Sequence, residues 1–222
     1  MSADTKKSKS RRTNNILLIS LLATIIVVLA AFGLNIFKIA AKDAPVSTPD
    51  TVEETPENEF VNEYYSIGHN ATEINKEYFV ELDNALDAHD KKAVSEAVTK
   101  CFITEYYTWI NKDGNYDIGG MQYIYTDRQR DFETYTRSTF YRDMDLYITQ
   151  LGRENLLEVA EVTVNSVTPT DWQNEAGETI TDYIVNASWT YVPHTMSAEG
   201  VQTSGDFYIT DHNGRMEVYY IQ

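Results

Sequence analysis

The chain has 222 residues, with 18 lysines and arginines against 34 aspartates and glutamates, a formal net charge of −16 and a hydrophobic share of 42%. So acidic a chain lacks the basic footprint that nucleic acid or anionic lipid requires of a partner, and cationic partners or divalent ions fit it better. A single cysteine, Cys101, excludes an intramolecular disulfide, so the chain must be held by an ordinary core.

Residues 1–15 read as a basic cytoplasmic tail, with Lys6, Lys7, Lys9, Arg11 and Arg12 set against Asp4 alone. The run Ile16 to Phe37 carries no charge and reads as one transmembrane helix, since roughly 20 apolar residues cross the hydrocarbon core. Ser20 and Thr24 can bond back to their own helix, and Asn35 lies near the outer interface. The positive-inside rule puts the N-terminus in the cytoplasm and the rest outside the cell. A cleaved signal peptide is the rival reading, but its apolar region spans only about 7–15 residues. After Lys42 the chain has 11 basic and 33 acidic residues, a net charge of −22. Residues 38–59, with three prolines among Thr, Ser and carboxylates, read as a disordered stalk, leaving residues 60–222 as one extracytoplasmic domain.

Asn70 with Glu73 has the spacing of a capping box and opens a helix over 71–88, with Ile74, Tyr78, Leu82 and Leu86 on one face. Asp90 caps a second helix running to Asn111. Cys101 falls on its apolar face and reads as a small buried hydrophobe. The rings near its end, Tyr106, Tyr107 and Trp109, read first as packing, with a groove for a partner as the functional alternative. Asn111 to Asp117 spaces oxygen ligands as a calcium loop does, but Tyr116 and Gln122 stand where an EF-hand needs glycine and glutamate, so a plain turn explains it.

Met121 to Tyr125 reads as a short strand or extended linker. Thr126 with Gln129 suggests a capping box for a charged helix, and Ser138 a cap for a further one ending at Gly152. The period then becomes two. Leu157 to Val167 shifts its apolar positions from odd to even, which predicts a bulge near Ala160. A loop over Asn174 to Gly177, the clear alternation Tyr183 to Tyr191 and a strand from Val201 to Thr210 follow. Asn213-Gly214 predicts a tight hairpin into a last strand through Met216, Val218 and Tyr220.

His69, His89, His194 and His212 fall at breaks, none at ligand spacing from another, and the local signatures of nucleophilic, metal and nucleotide chemistry are missing. No catalytic, cofactor-binding or metal residue is assigned, and no cofactor is expected. Alternation places Asp182, Asp206 and Glu217 mostly on polar faces, which argues against an enzyme.

Helices followed by about four antiparallel strands describe an α+β layer pair. This order, with the span, the segment FITEYYTWIN at Phe102 to Asn111 and the strands EVAEVTVNSV, DYIVNASWTYV, GDFYITD and RMEVYYIQ, resembles the NTF2-like fold, a cystatin-like cone of helices on a curved sheet. Within that fold it is similar to the VirB8-like and TcpC-like proteins of bacterial conjugation and type IV secretion. The resemblance implies a non-enzymatic, single-pass scaffold in a bacterial cell membrane, on a Gram-positive surface, forming homo-oligomers and engaging other membrane or envelope proteins of a transfer channel. The alternative is a ligand- or protein-binding module unrelated to secretion, with a cleft walled by Tyr106, Tyr107, Trp109, Trp189 and Tyr191.

Overall fold

A computed structural model describes residues 60–173, 177 and 179–222; the basic tail, the span, the stalk and most of the 174–177 loop lie outside the described residues. Among the described residues no helix is long and apolar enough to cross a membrane. They contain four α-helices, α1 (Glu73–Asp87), α2 (Lys91–Tyr106), α3 (Gln129–Ser138) and α4 (Met144–Leu151). Four strands follow, β1 (Val159–Gln173), β2 (Thr179–Tyr191), β3 (Ser204–His212) and β4 (Arg215–Ile221), in one open antiparallel sheet ordered β1-β2-β3-β4.

Helix α1 begins later than Asn70 would place it. Thr72 is the N-cap, its hydroxyl accepting from the Asn75 amide while the Asn75 side chain accepts from the Thr72 amide. Asn70 is instead a left-handed turn residue with φ of 55°. Asp90 caps α2 as expected, accepting from the amides of Lys92 and Ala93. That helix is buried on most sides, and its internal hydroxyls are satisfied one turn back: Ser95 donates to the Lys91 carbonyl (2.7 Å), Thr99 to Ser95 (2.9 Å) and Thr104 to Lys100 (2.9 Å). It stops at Tyr106 rather than Asn111. The amides of Trp109 and Ile110 both turn to the Leu157 carbonyl, which competes with a further helical turn.

The charged middle departs furthest from expectation. Gln129 does not close a capping box but donates to the carbonyls of Met121 and Ile124. The amide and hydroxyl of Thr126 go to Glu217 instead. Ser138 is the last residue of α3, not a cap, and donates to the Tyr135 carbonyl. Residues 121–125 are a 3-10 turn and one parallel bridge, Ile124 to Val218, with the Tyr125 amide donating to the Val218 carbonyl.

In the sheet, the bulge appears where alternation breaks, between Val159 and Glu161, and a second lies between Val164 and Ser166. Asn213 and Gly214, with φ of 57° and 87°, make the β3–β4 hairpin. Paired residues share a face, so Val162, Val185, Ala187, Trp189, Phe207, Ile209, Met216 and Val218 form the inner face. Helix α2 crosses it, touching β1, β2 and β4. Phe102, fully buried, meets Phe207 edge-on at 5.9 Å. Alternation places Asp182 and Glu217 on the outer face of the sheet, and the register agrees, yet both are buried, with exposures of 8% and 1%. Trp172 covers the first, and the 121–128 segment folds over the second, which strand periodicity does not encode.

Candidate functional site

Two adjoining clefts flank β4, sharing Arg128 and Tyr219 in their walls. The larger, about 720 Å³, lies between α3 and the end of β4, with Phe132, Tyr135, Asp131, Tyr220 and Gln202 among its walls. Tyr106 and Tyr107 also line it, their rings edge-on at 4.8 Å. The walls combine aromatic surface with a few polar groups, and the volume is in the range of about 300–1,000 Å³ usual for ligand pockets. Tyr135 and Tyr220 are 65% and 50% exposed at its mouth. Helix α3, which follows a 3-10 turn at 126–128, supplies one set of the cleft's walls, and residues 218–221 of β4 supply another.

The five aromatic residues singled out in the sequence are not one wall. Tyr106 and Tyr107 reach the cleft. Trp109 is buried against Phe140 (4.8 Å) and Tyr141 (5.7 Å), and Trp189 against Tyr107 (4.6 Å) and Phe207 (6.2 Å). Tyr191 accepts from the Trp189 indole (3.0 Å) and donates to the Gln202 carbonyl (2.9 Å), acting as a brace. Burial pushes the Tyr106 and Tyr191 hydroxyls up to about 12 and raises Tyr107 further, so all three remain neutral hydrogen-bonding groups. The Tyr107 hydroxyl donates to Gln202 (2.8 Å), fixing one polar edge of the cleft. The residues missed are Arg128, Phe132, Tyr135 and Tyr219. Phe132 and Tyr135, apolar positions three apart in an otherwise charged helix, were the available signal.

The second cleft, about 540 Å³, opens on the outer face of the sheet. Asp182 from β2, Thr210 and His212 from β3, and Trp172 from β1 line it with Tyr125 and Ile180. The Trp172 indole donates to Asp182 Oδ2 (2.9 Å). Behind the cleft, buried Glu217 accepts from the Thr126 amide (3.0 Å) and hydroxyl (2.8 Å), and its Oε2 lies 3.0 Å from His212 Nδ1. That last bond is made when Nδ1 carries the proton. The Tyr125 ring lies 4.9 Å from the imidazole. Sequence spacing showed neither this pair nor the cleft, because its members come from five separate segments, the four strands and residues 125–128.

A third cluster joins distant segments. His69 Nε2 lies 3.1 Å from Asp117 and 3.7 Å from Asp113, the two aspartates of the turn read as a poor calcium loop. Arg153 already pairs with Asp113, and the Asp113 amide donates to Asp117 (2.8 Å), so protein groups supply this cluster with its counter-charge and donors. Searches of family descriptions, curated proteins and solved structures find no match to this chain.

Proposed function

We propose that this chain is a non-enzymatic, membrane-anchored binding module that displays its α+β domain outside the cell and takes a protein partner in the cleft between α3 and β4. The observation that carries the reading is that cleft: Phe132, Tyr135, Tyr220, Tyr106 and Tyr107 present rings beside the polar groups of Arg128, Asp131 and Gln202. Exposed aromatic rings around a depression are the usual anchors of protein recognition, since each buries a large area at low entropic cost. The strong negative charge suits a basic partner surface.

The order of helices before four successive antiparallel strands supports a more specific form of the proposal, an NTF2-like scaffold of a conjugative or type IV secretion channel in a bacterial membrane. In that form the span Ile16 to Phe37 fixes the module to the membrane, with the basic tail in the cytoplasm. Crosslinking of the full-length chain in intact cells, followed by its purification, tests both levels. Recovery of a channel subunit or secretion ATPase supports the specific form, and loss of that crosslink in Phe132→Ala and Tyr135→Ala assigns it to the cleft. Crosslinks that persist in both variants overturn the cleft as the partner site.

A further inference from the structure

The second cleft is lined by Asp182, Asp211 and Arg128; Asp211 is paired with Lys91 and accepts from the Gly214 amide, whereas Asp182 and Arg128 do not satisfy each other. Asp182 is 8% exposed; its Oδ2 accepts from Trp172, but its Oδ1 has no hydrogen-bond partner among the described residues. A buried carboxylate oxygen without a donor is costly, of the order of a few kcal/mol, and calls for an N–H to complete it. Arg128 lines the same cleft, and among the described residues its guanidinium makes no hydrogen bond and no ion pair, with Asp182 or any other carboxylate. A guanidinium offers a planar fork matched to a carboxylate. Trp172, Tyr125, Tyr219 and Ile180 line the same cleft, walls that suit an apolar body or the face of a cation. Tyr219 lies close enough to Asp182 that, after burial, the carboxylate's charge is the next cause holding its hydroxyl above the ordinary tyrosine value.

We propose that this outer cleft binds a zwitterionic small molecule, an amino acid or short peptide with free termini, its ammonium directed to Asp182 and its carboxylate to Arg128. Donor and acceptor are thus supplied within one aromatic-lined cleft. His212 lines the cleft and is held from behind by Glu217, which Thr126 holds in turn, with the Tyr125 ring beside the imidazole. The site is separate from the partner cleft in its charged base and shares with it only the dividing wall of Arg128 and Tyr219.

The chain carries its own reporter. Of its three tryptophans, Trp109 and Trp189 are buried and Trp172 is 45% exposed in this cleft, so ligand-induced change in intrinsic fluorescence is assigned to Trp172. The full-length chain in detergent is titrated with L-phenylalanine, L-lysine and alanyl-alanine up to about 10 mM, beyond the weak end of specific affinities. The end-blocked forms, N-acetyl-alanyl-alanine and alanyl-alanine amide, serve as single-charge controls. A saturable change is expected with at least one zwitterion. Either block, and either substitution Arg128→Gln or Asp182→Asn, weakens it by roughly tenfold or more, as loss of one charge-assisted pair requires. Arg128 is exposed, so its variant folds; Asp182→Asn keeps the shape and removes a buried charge, so its thermal midpoint holds or rises. No saturable change with any zwitterion, or equal binding of the blocked forms or of both variants, overturns the proposal.

Discussion

Gly119 and Gly120 sit where the 111–124 segment presses against the end of α2. A methyl group on Gly119 would collide with the Glu105 carbonyl, which is backbone and cannot retreat, and with the Lys112 side chain. Gly119→Ala is therefore expected to destabilise the domain by about 3 kcal/mol or more, as overpacking against backbone does. Urea unfolding checks it, and a loss below about 1 kcal/mol would show that the loop yields. The same contact encloses Glu105, whose carboxylate accepts from the Gly120 amide (3.1 Å) and the Tyr123 hydroxyl (3.3 Å) beside buried Lys112. Burial raises the Glu105 pKa above the ordinary carboxylate value and lowers that of Lys112. The folded chain thus keeps the Glu105 proton over a window where the unfolded chain has lost it, so the stability this group contributes is present at low pH and declines as pH rises through its raised value. For Lys112 the unfolded chain holds the proton longer, so stability rises with pH between its lowered value and the ordinary lysine range. Unfolding curves across acidic pH should show the Glu105 decline, and Glu105→Gln should remove it. An unchanged slope would assign the decline to another group. None of this was legible in sequence, where Glu105 and Lys112 are two charges among many.

At the scale of elements, both outer strands of the sheet are guarded, and in different ways. The hydroxyl of Tyr78 on α1 accepts from the Val162 amide (3.0 Å) and donates to the Val162 carbonyl (3.4 Å), capping the open edge of β1 at its bulged end. On the other side, Ile124 and Tyr125 cap β4 at Val218. An unguarded edge is a template for another strand. Tyr78→Phe keeps the ring and removes both bonds, so it is expected to cost about 1–3 kcal/mol, as an orphaned buried amide does. Thermal and urea unfolding measure the cost, and a stability equal to the parent chain would mean that water replaces the hydroxyl. Strand alternation, the β1 bulge and the Asn213-Gly214 hairpin were readable because period and turn chemistry are local. The true ends of α2 and α3 were not. Trp109 and Ile110 leave the helix for Leu157, and Thr126 is claimed by Glu217, partners far away in sequence.

For the molecule as a whole, residues 60–222 carry 11 basic and 27 acidic side chains, a net charge of −16. Self-repulsion on this scale opposes compaction and is screened over about 8–10 Å at moderate salt. This segment has its own helix-on-sheet core, so expressed alone it is expected to be soluble and folded, with a melting temperature that climbs by several degrees between low and about 0.2 M salt. A flat or falling melting temperature would mean that local ion pairs such as Lys100–Glu81 and Lys91–Asp211 outweigh the net repulsion. The sequence alone determined the α+β class, the order of elements, the buried cysteine and the hairpin, because periodicity, caps and turns are short-range properties. Only the tertiary structure decided which aromatic rings are core and which face a cleft, and that Asp182, Arg128 and the His212–Glu217 pair stand together. Exposure depends on what folds over a strand or helix: Trp172 reaches Asp182 across the β1–β2 pairing, and Thr126 reaches Glu217 from 91 positions away, contacts that the alternation of a single strand does not encode.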